Sequence, residues 1–359
     1  MRVLISSAAG LAWLVLVVAA VPNAAHAKAP PGFIGMNAED VYAGSDAYQA
    51  QMFQVMQANG ITLLRQNFRW GYSEPARGVF DWTALDRFVL GAAEHGIRVL
   101  PLLYGETPWA TSRPPGKEGC AYPPKKTSDF TTWVEAVVNR YGRHGSLWVE
   151  HPEAASQAMS AYEIWNEPNF SFFWKCKPNA KAYVDFARPT ADAIRKLDSK
   201  ALIISAGSPK IDKNPGKYFR DAFKAGAAKV FNAVGLHPYE PHSEDVLKQL
   251  QDARKALDSH GAKNWSIVVT EYGWATGGPK SDHTVDEAKQ NSLIYNTLKK
   301  VAAKRKALKL QSMTYYTCRD LPPAPGQDDY WGLHTGLVRN NDTFKPGLAA
   351  LLNASHNIK

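Results

Sequence analysis

Two glutamates, each at the end of a short apolar run, carry the chemistry this sequence offers. Glu167 lies in Trp165-Asn166-Glu167-Pro168-Asn169, and Glu271 closes Ile267-Val268-Val269-Thr270-Glu271. Apolar runs of this length read as buried strands. Two carboxylates carried at strand ends are what cleavage of a glycosidic bond requires. One holds a proton for the leaving oxygen; the other stays ionised to attack, or to activate water. Taken singly, each glutamate reads equally as a surface carboxylate after a strand, so the pairing depends on the elements that position them.

Those elements recur eight times. Apolar runs at 32–36, 61–66, 98–103, 161–165, 202–206, 230–237, 265–270 and 310–316 are rich in Ile, Val and Leu and mostly lack polar alternation. That is the pattern of strands buried on both faces. Helical stripes lie between them: Leu85, Phe88, Val89, Ala92 and Ala93; Val184, Ala187, Ala191 and Ile194; Val246, Leu250, Ala253 and Leu257; Ile294, Leu298 and Val301. Each follows the 3.6-residue period of an amphipathic helix. Thr83 with Asp86 suggests a cap at the first helix and Gly96 its stop, Ser243 caps the third, and 344–356 reads as a closing helix with Pro346 in its first turn. Eight strand–helix units point to an α/β fold, a single (β/α)₈ TIM barrel, with an open doubly wound sheet as the alternative. No Gly-x-Gly-x-x-Gly follows the first strand, which disfavours the nucleotide-binding form of that alternative. In a barrel Glu167 ends the fourth strand and Glu271 the seventh, so both open into one mouth. The Pro-rich loops Pro108, Pro114, Pro115, Pro123, Pro124 and Pro322, Pro323, Pro325 fall on the same face.

At this point the residues carry a resemblance. Glu163-Ile164-Trp165-Asn166-Glu167-Pro168-Asn169 and Thr270-Glu271-Tyr272-Gly273-Trp274 resemble the strand-4 and strand-7 signatures of clan A glycoside hydrolases. The segment from Leu64 to Trp70, then Glu74 to Trp82, is similar to the clan's strand-2 region, and Thr107-Pro108-Trp109-Ala110 and Trp331-Gly332-Leu333 through Lys345-Pro346 also fit. Of the clan's families the chain looks closest to family 39, with family 5 second. Tyr104-Gly105 stands where family 5 has a histidine after strand three. The resemblance implies a retaining mechanism with Glu167 as general acid/base and Glu271 as nucleophile. It implies that Arg65 hydrogen-bonds Glu271 and keeps it ionised, that Tyr239 orients the nucleophile, that Asn166 meets the sugar 2-hydroxyl, and that His237 belongs with Tyr239 to the clan's His-x-Tyr pair. The alternatives are a core histidine satisfied by backbone at His237 and a structural ion pair at Arg65.

Tryptophans add a signal of their own. Trp70, Trp109, Trp174, Trp274 and Trp331 follow proposed strands and Trp165 ends one, while Phe170, Phe172 and Phe173 share the loop after Glu167. Aromatic faces stack on the C–H faces of sugars, so these rings are expected as substrate contacts for an oligo- or polysaccharide; rings packed in the core are the alternative. Cys120 and Cys176 fall in the loops after strands three and four. A disulfide between them is expected, with Cys318 free; three reduced thiols is the alternative.

Residues 1–27 read as a secretory signal peptide, with Arg2, an apolar stretch from Leu11 to Val21, and Ala25-His26-Ala27 as the cleavage site. Residues 28–359 then form the barrel domain of a protein secreted or held at the cell envelope. No segment suggests membrane insertion, and a monomer is favoured. The net charge is +9, with much of the excess between Lys299 and Lys309. It reads either as attraction to an anionic glycan or as the solvated, cation-rich end of a helix. No nucleic-acid, cofactor or metal motif appears: strand ends offer only His237, and the cysteine spacing fits no metal site. The competing functions are a catalytically silent barrel that binds glycans and a transglycosylase using the same residues.

Overall fold

The structure, a computed structural model, describes residues 30–208, 216–323 and 326–358; the expected leader and Pro325 lie outside them. Eight strands run in chain order: β1 (Ile34–Asn37), β2 (Leu63–Arg69), β3 (Arg98–Tyr104), β4 (Ala161–Ile164), β5 (Leu202–Ser208), β6 (Ala233–Leu236), β7 (Ser266–Tyr272) and β8 (Leu310–Tyr315). All pair in parallel, and β8 closes on β1. The chain is a (β/α)₈ barrel, as its eight-fold alternation implied.

A helix follows every strand: Asp46–Ala58, Thr83–Glu94, Thr127–Tyr141, Ala180–Leu197, Lys217–Lys224, Ser243–Ser259, Glu287–Leu308 and Pro346–Asn357. The four apolar stripes read from the sequence are buried throughout. Two caps differ from expectation. Thr83 is the first helical residue, and its N–H donates to Asp81 Oδ1 at 3.0 Å, so the capping acceptor comes from two residues upstream. Ser243 likewise begins its helix, after His242 at the cap position, and the side chain of His242 makes no capping bond. The closing helix starts at Pro346, which occupies the first turn where its missing N–H costs nothing, and Phe344 stays outside it.

Leu63, Leu100, Ile204, Ala233 and Val268 form a small apolar cluster separate from the main core. Leu63 precedes Arg65 by two residues, so the strand period puts both on one face. Because Arg65 reaches the barrel centre, this cluster plugs the barrel beneath the mouth. Truncating one of its large members to alanine would cost about 2–5 kcal/mol through the cavity left behind.

Cys120 and Cys176 are bridged, with Cα atoms 5.4 Å apart, and Cys318 is buried and free. The bridge joins the loops after β3 and β4. Those loops are also laced by Ala121 N–H donating to Phe172 O at 2.7 Å and Lys175 N–H donating to Ala121 O at 2.8 Å. Among the described residues no helix is long and apolar enough to cross a membrane.

Candidate active site

Glu271 sits near the end of β7 and Glu167 three residues beyond β4. The strand-4 signature turns sharply: Trp165 and Glu167 have φ of 72° and 38°, left-handed values that non-glycine residues rarely adopt. Such strain, about 1–3 kcal/mol per residue, persists where surrounding contacts enforce it. Here Glu167 N–H donates to Gly207 O at 3.1 Å, Phe170 N–H donates to Glu167 O at 2.9 Å, and Trp165 Nε1 donates to Phe173 O at 2.8 Å. The turn therefore ends β4 one residue earlier than the apolar run suggests and aims Glu167 across the mouth.

Glu167, His237 and Glu271 bring one polar atom each to within 4.8 Å of one another. Arg65 lies beneath them, 4% exposed, with its guanidinium shared four ways. It donates to Glu163 Oε2 at 2.6 Å, Glu271 Oε1 at 2.8 Å, Asn37 Oδ1 at 2.8 Å and Asn166 Oδ1 at 3.1 Å. Tyr239 OH donates to Glu271 Oε2 at 2.8 Å. His237 is fully buried; Nδ1 is 2.6 Å from Glu167 Oε1 and Nε2 is 3.0 Å from Thr270 Oγ1. The histidine is satisfied by side chains, not by backbone carbonyls.

These contacts push the two carboxyls in opposite directions. Burial raises Glu167 above the usual carboxylate range. The hydrogen bond and charge of His237 pull it back, and the negative charge of Glu271 adds to the rise. Burial would also raise Glu271, but the charges of His237 and Arg65, with hydrogen bonds from Tyr239 and Arg65, outweigh it and hold this carboxyl low. Burial opposes charge on His237, yet Glu271 and Glu167 together raise it. The proton affinities of the two carboxyls are thus shifted apart, the direction that acid-plus-nucleophile chemistry needs. The same three groups are the described residues close enough to offer a cation three ligand atoms. Arg65 on one side, and the hydrogen bonds that occupy His237 on both nitrogens, oppose a resident ion there.

Glu163, Thr270, Asn37 and Gly207 were not singled out from sequence. Glu163 is fully buried and accepts from Arg65 Nε, from Gly207 N–H at 2.9 Å and from Thr270 Oγ1 at 3.0 Å. Asn37 Nδ2 donates to the carbonyls of Thr270 and Tyr315. Thr270 and Glu271 are consecutive, yet both reach the centre. The β7–β8 register shifts between Val269 and Tyr272, which releases the strict alternation of a strand. A Cβ on Gly207 would lie 2.0 Å from His237 Nε2, so only glycine lets the imidazole pack there. A charged residue inside a strand buried on both faces was the available signal for Glu163, since such a group requires a partner.

Several expected substrate rings are core instead. Trp70, Trp174 and Trp274 are 0–1% exposed, as is Trp165. Trp70 Nε1 donates to Glu74 Oε2 at 2.6 Å and Trp274 Nε1 to Glu240 O at 2.8 Å, so the polar atom of each ring is satisfied inside the wall. Trp109 is half-buried, with Nε1 on Glu74 O and the Arg77 guanidinium over its face. Trp331 is half-buried at the mouth and packs on Tyr239, the hydrogen-bond donor to Glu271, at 4.9 Å between centroids. Among the described residues the exposed rings are Tyr72, Phe170, Phe172, Tyr330 and Phe344.

The chain resembles known carbohydrate-active proteins. A Geobacillus stearothermophilus protein described as a beta-xylosidase is 24% identical over 175 residues, covering 43% of this chain and 32% of that protein. A family 39 glycoside hydrolase from Bacteroides cellulosilyticus WH2 superposes with a TM-score of 0.67 at 16% identity, over 90% of this chain and 63% of its own. A glucosidase from Croceicoccus marinus gives 0.65 at 12% identity, over 85% and 63%. The endo-beta-1,4-mannanase of Thermotoga petrophila gives 0.59 at 14% identity, over 90% and 76%. At these identities the structural likeness is one of fold. The chain spans about a third of the curated relative's length and less than two thirds of the first two solved chains. The clan resemblance holds, and within the clan the sequence match falls on family 5, the second of the two families named above, despite Tyr104 in place of that family's histidine. A model of the family described as cellulase (glycosyl hydrolase family 5) matches residues 24–303, and the chain belongs to that family.

Proposed function

We propose that the chain is a retaining glycoside hydrolase that cleaves O-glycosidic bonds of an oligo- or polysaccharide by double displacement. The observation that carries this reading is the convergence of Glu167 and Glu271, with oxygens within 4.8 Å and opposite proton affinities. Retaining enzymes hold their carboxyls about 5–5.5 Å apart, whereas inverting ones leave about 6.5–9.5 Å for a water. Glu271, held ionised by Arg65 and Tyr239, attacks the anomeric carbon while Glu167 protonates the leaving oxygen. The resulting ester removes the negative charge of Glu271, Glu167 acidifies, and it then serves as base for water. Asn166, its Oδ1 held by Arg65, is left with its amide nitrogen for the sugar 2-hydroxyl.

A polymeric substrate is supported by the exposed rings beside the acid, Phe170 and Phe172, and by Trp331 beside the nucleophile. A cleft of about 800 Å³ between the loops after β1 and β2, lined by Glu39, Asn67, Arg69 and Tyr72, offers room for further sugar units. The basic run between Lys299 and Lys309 lies at the far end of helix Glu287–Leu308, where β8 begins and away from the mouth. It therefore lends no support to an anionic substrate and fits the solvated helix end. A monomer is proposed as the working form. Residues 1–27 are assigned as an export leader and 28–359 as the catalytic domain. The Cys120–Cys176 bridge suits an oxidising compartment outside the cytosol.

The test is reducing-end release from plant, fungal and bacterial polysaccharides by the parent and by Glu271→Gln. Release by the parent that vanishes in the variant supports the reading. Release that survives in Glu271→Gln removes Glu271 as nucleophile. Binding without release by the parent across the panel favours a glycan-binding barrel, and products longer than the substrate favour transglycosylation.

A further inference from the structure

His237 is enclosed by groups from five strands or the loops that follow them. Glu167 faces it from the β4 side, with Glu163 of the same strand behind Thr270; Thr270 and Glu271 face it from β7, Arg65 from β2, Gly207 from β5, and Tyr239 follows it after β6. The proton positions around it follow from counting. Glu163 pairs with Arg65 and is a carboxylate, so it only accepts. Its Oε1 therefore takes the single hydrogen of Thr270 Oγ1 at 3.0 Å. With that hydrogen committed, Thr270 Oγ1 can only accept from His237 Nε2 at 3.0 Å. Nε2 must then carry a hydrogen. Nδ1, 2.6 Å from Glu167 Oε1, then shares a single proton with it, which sits on the acid when the ring is neutral and on Nδ1 when the ring is charged.

We propose that Glu163 and Thr270 form a buried positioning chain that fixes the tautomer of His237 and thereby keeps the proton on Glu167. This rests on the reading of Glu167 as the acid. The opposite tautomer would point an N–H at Glu167 and stabilise its ionised form, which cannot protonate a leaving group. Glu163 and Thr270 touch neither the sugar nor the reacting atoms; they act through His237. Their burial keeps water from offering the ring an alternative partner.

The test uses Thr270→Val, which keeps the β-branched shape and removes the hydroxyl, and Thr270→Ser, which restores the hydroxyl. Ring ¹⁵N shifts in protein labelled at histidine, assigned with His237→Asn, report the tautomer independently of activity. Expected for the parent is a hydrogen on Nε2 and, in Thr270→Val, a shift toward the Nδ1–H form. The alkaline limb of kcat/KM should move down by about one pH unit in Thr270→Val and return in Thr270→Ser. A parent ring with its neutral hydrogen on Nδ1 overturns the proposal, even if Thr270→Val fails to fold. So does a folded Thr270→Val whose tautomer and alkaline limb match the parent. A parent that hydrolyses no glycan while showing the Nε2–H ring would instead sink the function proposed above and leave the proton chain standing.

Discussion

His237 Nδ1 lies 2.6 Å from Glu167 Oε1, and the same nitrogen is 3.5 Å from Glu271 Oε2. One imidazole edge therefore faces both carboxyls, and the three groups titrate as a coupled set rather than singly. The direction for each carboxyl still follows from its neighbours. The pH profile of kcat/KM is expected to be bell-shaped. Its acid limb reflects Glu271, held below the usual carboxylate value, so activity rises as pH climbs through that low pKa. Its alkaline limb reflects Glu167, raised by burial, so activity is lost as pH passes the raised pKa. Glu167→Gln should abolish the alkaline limb for an activated aryl glycoside whose leaving group needs no proton.

Arg65 is the cation on which the charge balance depends. Arg65→Met leaves Glu163 and Glu271 buried without their partner, and breaking a buried pair this way costs about 3–5 kcal/mol. The urea midpoint should fall accordingly. Arg65→Lys should fold better yet lose about a hundredfold or more in kcat/KM. A single ammonium cannot serve Glu163, Glu271, Asn37 and Asn166 in one plane as the guanidinium fork does.

How much of this was visible in the sequence divides along physical lines. The eight strands were visible because strands buried on both faces are continuous apolar runs, and the barrel then followed from their number. Glu167 and Glu271 came through two short signatures and the strand count, and Arg65 and Tyr239 through the clan resemblance. Thr270 and Gly207 did not, because their importance exists only once β4, β5, β6 and β7 close around His237, and Glu163 offered only the signal of a charge inside a buried strand. The tryptophans misled for the opposite reason. Position after a strand places Trp70, Trp174 and Trp274 near the mouth, but rotamer and neighbours decide whether a ring turns to solvent or into the wall. Trp174, for instance, packs at 5.7–5.8 Å from Trp165, Tyr183 and Phe186.

That distinction is open to measurement. Trp174→Ala empties a fully buried site and should cost about 3–5 kcal/mol in unfolding free energy. Phe172→Ala removes a ring that is 60% exposed and should stay within about 0.5 kcal/mol of the parent. On a polymeric substrate Phe172→Ala should raise KM several-fold with kcat little changed, and on a short aryl glycoside it should be silent. Equal destabilisation by the two substitutions would contradict the assignment of core and platform.

The Cys120–Cys176 bridge spans 56 residues of sequence. Closing a loop of that size constrains the unfolded chain, and its removal should cost about 2–4 kcal/mol. Cys120→Ala with Cys176→Ala is expected to lower the denaturation midpoint. It should also raise KM for polymer more than for a short aryl glycoside, since the loops it ties present Phe170 and Phe172.

The most direct test of the central claim is the anomeric configuration of the first product, read by ¹H NMR before mutarotation on whichever glycan the parent cleaves. Double displacement through Glu271 requires the first-formed sugar to keep the configuration of the bond that was broken. Accumulation of the opposite anomer first would mean a single displacement by water and would contradict the pairing of Glu167 with Glu271 as acid/base and nucleophile.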